Sequence, residues 1–331
     1  MPVTYHTTDL NKTSFLITGG AGFIGSNIIQ YLINNKAGKI RVLDNLATGF
    51  LKNISSYQGH PNFEFIEGDI CNYETCTKCC EGIDFISHQA ALGSVPRSIK
   101  DPLTTHEVNA TGFLNIILAA KEASVKRFVF ASSSAVYGDH PALPKKENQT
   151  GNPLSPYAVS KKINELYAQV FADVYKMEII GLRYFNVFGP NQNPSGPYAA
   201  VIPLFFQSVI DNNPPYIDGD GEQTRDFTYV ENVVQANIRA MLSTNPEAVN
   251  KIYNVAIGER ISINKLFYLI AQLVKSDMKP VYREKRPGDV RDSLADISDV
   301  KKFLSYDPLI HINDGLLKTL DWFRQTKIKI N

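Results

Sequence analysis

Short apolar runs alternate with longer amphipathic stretches from residue 14 to about 185, which is the rhythm of repeated strand–helix–strand units. The runs predict strands at Ser14–Thr18, Ile40–Leu43, Phe63–Glu67, Phe85–His88, Phe128–Ala131 and Glu178–Arg183, with helices between them over about 23–35, 72–80, 102–123 and 156–176. Repeated crossovers of this kind give an α/β fold with a doubly wound parallel sheet, whose ligands bind beyond the carboxyl ends of the strands. After Gly189 the alternation stops, and Pro190, Pro194, Pro197, Pro203, Pro214 and Pro215 punctuate the chain. A second, smaller domain is expected there. Phe227–Leu242 reads as a turn plus helix, and Ile252–Ala256 as a strand returning to the sheet. The expected division is therefore 1–188 with about 227–258 for the nucleotide-binding domain, and about 189–226 with 259–331 for a smaller, discontinuous α/β substrate domain.

Composition narrows the partners. A chain of 331 residues, 44% of them hydrophobic, is long enough for two cores. A formal net charge of +1 gives no reason to expect nucleic acid or an anionic membrane, and points to a small-molecule partner. Met1–Asn11 is polar without an apolar leader, and no later run reaches bilayer-spanning length, so a soluble cytoplasmic protein is expected. All four cysteines, Cys71, Cys76, Cys79 and Cys80, fall in one short segment, which argues against a disulfide framework. Cys76, Cys79 and Cys80 have the spacing of one buried helix face, and no second Cys or His pair stands nearby; no metal site is expected. His88 likewise reads as a packed residue.

Candidate chemistry begins with Gly19-Gly20-Ala21-Gly22-Phe23-Ile24-Gly25, which follows the first strand and opens a helix. Gly19, Gly22 and Gly25 permit a tight turn and close backbone approach, so that pyrophosphate meets free amides at a helix N-terminus in the manner of a Rossmann-like site. Asp44 ends the second strand, where a carboxylate accepts hydrogen bonds from an adenosine ribose and repels a 2′-phosphate, favouring NAD over NADP. Asp69-Ile70 and Gln89-Ala90-Ala91 sit at the same edge after the third and fourth strands.

Ser132-Ser133-Ser134 follows the strand Phe128–Ala131, where the nicotinamide of such a cofactor would lie. Tyr157-Ala158-Val159-Ser160-Lys161 follows Pro156, which suits a helix start. Tyr-x-x-x-Lys recurs on ordinary amphipathic helices. Four residues apart, however, phenol and ammonium share one face, and the positive charge is expected to lower the phenol's pKa so that Tyr157 exchanges protons near neutrality.

With these motifs, and with "SSSAVYGD", "SPYAVSK", "LRYFNVFGP", "GDGEQTRDF" and "RPGDVRDSLAD", nearly the whole chain resembles the extended short-chain dehydrogenase/reductase superfamily and, within it, the UDP-sugar 4-epimerases. The resemblance implies that NAD takes a hydride from carbon 4 of the sugar while Tyr157, assisted by Lys161 and Ser133, removes the 4-hydroxyl proton. The keto-sugar then turns about its pyrophosphate link and is reduced on its other face. The cofactor is expected to meet Phe23, Ile24, Asn45, Thr48, Gly49, Asn109, Tyr184 and Val187 as well as the residues above. Dehydratases and uronate decarboxylases of the superfamily carry an acid beside the catalytic hydroxyl, and here that place is Ser134-Ala135.

Further implications concern the sugar nucleotide. Arg225, Arg286 and Asp289 match positions for the pyrophosphate and uridine ribose, and Tyr216 a position near the uracil. Gly93, Ser94, Ser134, Asn186, Gln192, Ala200 and Val201 are expected as pocket walls. Ser293, four residues after Asp289, stands where a bulky tyrosine restricts the family to unsubstituted hexoses, so a small residue leaves room for a 2-acetamido group. "ALGSVPRSIKDP" resembles the branch acting on UDP-N-acetylglucosamine or its uronic acid, with Ser94 and Arg97 towards carbon 6. The alternatives are a dehydratase or net oxidoreductase on the same fold, or a non-catalytic NAD-binding protein. A homodimer through helices 102–123 and 156–176 is also implied.

Overall fold

A computed structural model describes residues 3–194, 199–285 and 290–328. Its centre is a seven-stranded sheet built from β1 (Ser14–Thr18), β2 (Lys39–Asp44), β3 (Phe63–Glu67), β4 (Phe85–His88), β5 (Arg127–Ser133), β6 (Ile179–Tyr184) and a late strand, Lys251–Val255. The order is late strand, β6, β5, β4, β1, β2, β3, with every pair parallel. Strand order reverses between β1 and β4, which opens a crevice at the carboxyl edge. Register brings Thr18 beside both Leu43 and His88, and Ser133 beside Tyr184, so the candidate residues end on one rim.

Alternation along the strands feeds two cores. Phe15 and Ile17 of β1 pack with helix α1 (Phe23–Asn34), while Leu16 faces the other layer, as do Phe128 and Phe130 of β5. That second layer holds α2 (Tyr73–Cys80), whose Cys76, Cys79 and Cys80 are fully buried with their thiols pushed up by burial. Among the described residues no group of three or more His, Cys, Asp or Glu is arranged to hold a metal, and no helix is long and apolar enough to cross a membrane.

The stretch expected as one helix over 102–123 is segmented. Helix α3 (Val95–Lys100) precedes it, capped by Ser94, and then α4 (Pro102–His106), a π-helical segment Glu107–Thr111 and α5 (Gly112–Glu122) run on. Helix α6 (Pro156–Tyr175) starts as its sequence predicts, with Pro156 in the first turn and the Ser155 hydroxyl accepting the Ala158 amide at 3.2 Å.

Beyond β6 the chain forms β7 (Val187–Phe188), α7 (Val201–Ile210), β8 (Tyr216–Asp218), β9 (Thr224–Arg225) and β10 (Thr228–Tyr229), then α8 (Val230–Leu242), which returns to the first core ahead of the late strand, β11. The strand β12 (Ile261–Ser262), α9 (Ile263–Val274), β13 (Val281–Arg283), α10 (Ser298–Leu304) and α11 (Ile312–Ile328) complete the chain. A third cluster, including Phe188, Phe205, Phe206, Leu266, Phe267 and Leu320, packs this later part. Val300, Leu304 and Tyr306 nevertheless belong to the first core, so the segment after 259 crosses back once. Helix α10 packs on β11, whose outer edge is paired with no further strand among the described residues.

Candidate active site

A cavity of about 1180 Å³ runs along the carboxyl rim of the sheet, from the glycine turn to the serine cluster. At one end Gly19, Gly22, Phe23, Ile24 and Gly25 line it. Gly22 caps α1 without any side-chain hydrogen bond, so the first-turn amides face the cavity unblocked by a side chain. The close packing is literal at Gly25, where an added Cβ would stand 2.4 Å from the Gly19 carbonyl oxygen. Asp44 is buried; its carboxylate accepts the Ala21 amide at 2.9 Å and the Leu46 amide at 2.8 Å. Burial raises its pKa, against the pull of those amides.

Asp69 accepts from the Asn45 side chain at 2.8 Å and from the Cys71 amide at 2.8 Å. Asn45, Thr48, Asp69, Ile70, Gln89, Ala90 and Ala91 all line the cavity. Gly49 does not: it packs behind the wall, where a Cβ would lie 3.0 Å from Asp44 Oδ1. Asn109 also lies behind, in the π-helical segment. Its amide exchanges two hydrogen bonds with the Leu92 backbone, at 2.8 and 3.1 Å, and donates to Ser160 at 3.2 Å, tying the loop after β4 to α6.

At the other end Ser132, Ser133, Ser134, Tyr157, Lys161, Tyr184 and Val187 meet. The Ser133 hydroxyl stands beside the Tyr157 phenol, whose pKa it pulls down, and accepts the Ala135 amide at 3.1 Å. Lys161 is buried, and its ammonium donates to the Ala131 carbonyl at 2.8 Å, lying 6.0 Å from the centre of the Tyr157 ring. The expected acidification of Tyr157 by Lys161 is not what this geometry gives. Burial raises the phenol's pKa, opposed only by the Ser133 hydrogen bond, while burial pulls Lys161 down to about 8 against the attraction of Glu165. The ammonium is spent on a backbone carbonyl instead of on the phenolic oxygen. His88 accordingly stays neutral: burial, then Lys161, lowers it to about 3. Beneath, Tyr184 donates to Gln89 at 3.1 Å and accepts from Asn237 at 2.8 Å, which fixes the floor.

Of the expected pocket walls, Gly93, Ser94, Ser134, Asn186, Gln192 and Ala200 line the cavity, and Val201 stands just outside as the first residue of α7. The Ser94 hydroxyl is engaged with the Arg97 amide at 3.1 Å. Tyr216, Arg225 and Ser293 are not brought to this cavity. Tyr216 is 61% exposed under the Arg283 guanidinium, 5.2 Å from its ring. Arg225 donates to the Thr224 and Arg291 carbonyls, and Ser293 donates its amide to Thr224 at 3.1 Å. A small separate cavity of about 100 Å³ is lined by residues close to them in the chain, among them Asp218, Gln223 and Arg291. Arg286 and Asp289 lie outside the described residues.

Sequence reasoning missed part of the wall. Phe50 and Asn53 line the end at the glycine turn because the loop after β2 is stapled to that turn: the Phe50 amide and the Asn53 side chain donate to the Ala21 carbonyl at 3.0 and 2.8 Å. No local pattern signals that. Asn191 and Asn193, in the proline-rich stretch, also line the cavity, and their polarity in a turn gave no clue.

The cavity thus has the glycine turn and Asp44 at one end and hydroxyl, phenol and ammonium groups at the other. Residues 15–256 match the NAD dependent epimerase/dehydratase family. A solved UDP-N-acetylglucosamine 4-epimerase from Methanobrevibacter ruminantium, in complex with UDP-N-acetylmuramic acid, is 39% identical with a TM-score of 0.89, over 95% of this chain and 99% of that one. A UDP-glucose 4-epimerase of Thermus thermophilus in complex with NAD is 34% identical with a TM-score of 0.82, over 94% and 98%. The UDP-glucose 4-epimerase of Mycolicibacterium smegmatis is 34% identical over 93% of this chain and 98% of its own length.

Proposed function

This chain belongs to the NAD dependent epimerase/dehydratase family, and we propose that within it the protein inverts carbon 4 of a UDP-N-acetylhexosamine, interconverting UDP-N-acetylglucosamine and UDP-N-acetylgalactosamine. It is an NAD-dependent UDP-sugar 4-epimerase, an isomerase. The glycine cradle and Asp44 fit the dinucleotide, and the side chain of Asp44 favours a free ribose diol. NAD, when bound, supplies a reversible acceptor for the carbon 4 hydride. Tyr157 takes the 4-hydroxyl proton and returns it, Ser133 holds the phenol in line, and Lys161 fixes the tip of β5 through Ala131 while supplying positive charge.

The observation that carries epimerisation over elimination is where the acids stand. Among the described residues the carboxylates lining the cavity are Asp44 and Asp69 near the glycine turn, Asp101 capping α4, and Glu107 after it; 131–135 and 184–193 contribute none. Among the described residues a ketone formed beside Ser133 meets no cavity-lining carboxylate from 131–135 or 184–193 to assist loss of water or carbon dioxide, so Tyr157 returns the proton as the ketone is reduced again. The acetamido assignment is supported by the small walls Gly93, Ser134 and Ala200. Arg97, on the same cavity, favours a second reading, the corresponding uronate, whose carboxylate suits a guanidinium. Incubating the purified protein separately with UDP-N-acetylglucosamine, UDP-glucose and UDP-N-acetylglucosaminuronate, with NMR of the products, tests all three; loss of water or carbon dioxide, or no turnover, overturns the epimerase reading.

Because Ser293 stands apart from this cavity, Ser293→Tyr is expected to change turnover of acetamido substrates and of UDP-glucose by the same factor. A loss of acetamido turnover about tenfold or more beyond that of UDP-glucose would make Ser293 the gate. We also propose a homodimer. Val159, Leu166, Val170 and Val174 form one exposed stripe on α6, each 45–63% exposed, beside Leu103 of α4 at 83%. Leu166→Glu combined with Val170→Glu should sediment as a monomer where the unsubstituted protein sediments as a dimer; a monomer in both cases ends the proposal.

A further inference from the structure

Glu165 stands one turn beyond Lys161 on α6, and both side chains are buried. Three bonds from two strands hold its carboxylate. Oε1 accepts the Ser132 hydroxyl of β5 at 2.6 Å and Arg183 Nε of β6 at 2.8 Å, and Oε2 accepts the second guanidinium nitrogen at 2.9 Å. Arg183 is anchored in turn, donating to the Glu147 carbonyl at 2.9 Å with its guanidinium 4.8 Å from the centre of the Tyr137 ring. Stability alone is a poor reason for such a pair, because well-packed apolar residues serve as well. Its position supplies a better one. Ser132 adjoins Ala131, the residue whose carbonyl holds Lys161, so a single carboxylate touches the strand tip on which the ammonium is fixed and attracts that ammonium.

We infer that Glu165, fixed by Arg183, is a positioning residue for the proton-transfer centre: it pins the tip of β5 through Ser132 and sets a negative charge one helical turn from the Lys161 ammonium. The inference rests on the reading of Tyr157 and Lys161 as that centre. The ionisable groups around Lys161 are Tyr157 and Glu165 from its own helix, His88 from β4 and, about Glu165, Arg183 from β6 and Lys162, whose ammonium lies 3.7 Å from Glu165 Oε2. Burial lowers Lys161 and Glu165 opposes it, while His88 is neutral. Removing the charge of Glu165 therefore leaves Lys161 to lose its proton at lower pH, and leaves Arg183 to repel it further.

The test is an NMR titration of lysine ε-carbons in the holoenzyme, which reads Lys161 without turnover; its signal is the one lost in Lys161→Met. In Glu165→Gln the midpoint of Lys161 is expected to fall by about one pH unit or more, a tenfold change in its protonation equilibrium, and the alkaline limb of kcat to fall with it. An unchanged midpoint with only a lower melting temperature overturns the inference and leaves Glu165 a structural partner. Where that variant does not fold, Glu165→Gln with Arg183→Met replaces both charges by neutral groups. A midpoint below that of the unsubstituted protein supports the inference, and an equal one overturns it. If the unsubstituted enzyme does not epimerise, the reading of Tyr157 fails separately, and the midpoints still decide Glu165.

Discussion

Tyr157→Phe is expected to lower turnover of the UDP-sugar about a thousandfold while leaving NAD bound, because it deletes one proton-transfer group and nothing else. The ring keeps its place on the cavity wall, and the Ser133 hydroxyl keeps the Ala135 amide as a partner. The cradle for the dinucleotide lies at the far end, in the turn 19–25 and at Asp44, out of reach of the phenol's loss. Product NMR measures the turnover, and nucleotide released on denaturation measures the cofactor. Retention of activity within tenfold would place the proton transfer elsewhere, with Ser133 the next group in line. Simultaneous loss of NAD would instead make Tyr157 a cofactor ligand first. A non-catalytic NAD-binding protein predicts that the substitution changes nothing.

How legible the site was depends on how far apart its pieces lie in the chain. The glycine turn, Asp44, the serine cluster and Tyr157 with Lys161 are each local patterns, and each was visible because its geometry is set by a few consecutive residues at a strand end or helix start. The sheet was legible for the same reason: β1 through β6 fall on the predicted apolar runs, which parallel strands buried on both faces must have. What the sequence hid is set by contacts across the fold. Lys161 points at the Ala131 carbonyl, a partner 30 residues away, and so does not lower the phenol's pKa as helix spacing alone suggests. The Glu165–Arg183 pair joins a helix to the next strand and looks like two surface charges when read along the chain. Segmentation of the stretch after Pro102 was hidden as well, because a π-helical segment keeps helix-forming residues and changes only which carbonyl each amide finds. Tyr216, Arg225 and Ser293 lie in the later strands β8 and β9 and the segment after 290, apart from the main cavity, a separation that motif matching has no means to register.

Gly25→Ala is expected to abolish NAD retention and to cost about 1–3 kcal/mol of stability, whereas Gly22→Ala is expected to do much less. The two glycines belong to one turn and differ in what a methyl group would meet. At Gly25 the new carbon would stand 2.4 Å from the Gly19 oxygen, 2.7 Å from the Gly20 α-carbon and 3.0 Å from the Gly19 carbonyl carbon. All three are backbone atoms, so no side chain can turn aside, and the first turn of α1 must move off the strand end. That displaces the amides offered to a pyrophosphate, and Asp44 moves with them, since its carboxylate is bonded to the Ala21 amide. At Gly22 the only close atom is the Gly19 oxygen, at 3.0 Å, which a shift of a few tenths of an ångström relieves. Nucleotide content of the purified variants and their thermal unfolding, each with and without added NAD, separate the two effects. Equal behaviour of the two variants would show that the turn tolerates crowding, and that the close contact between α1 and the strand end is not what shapes the cradle.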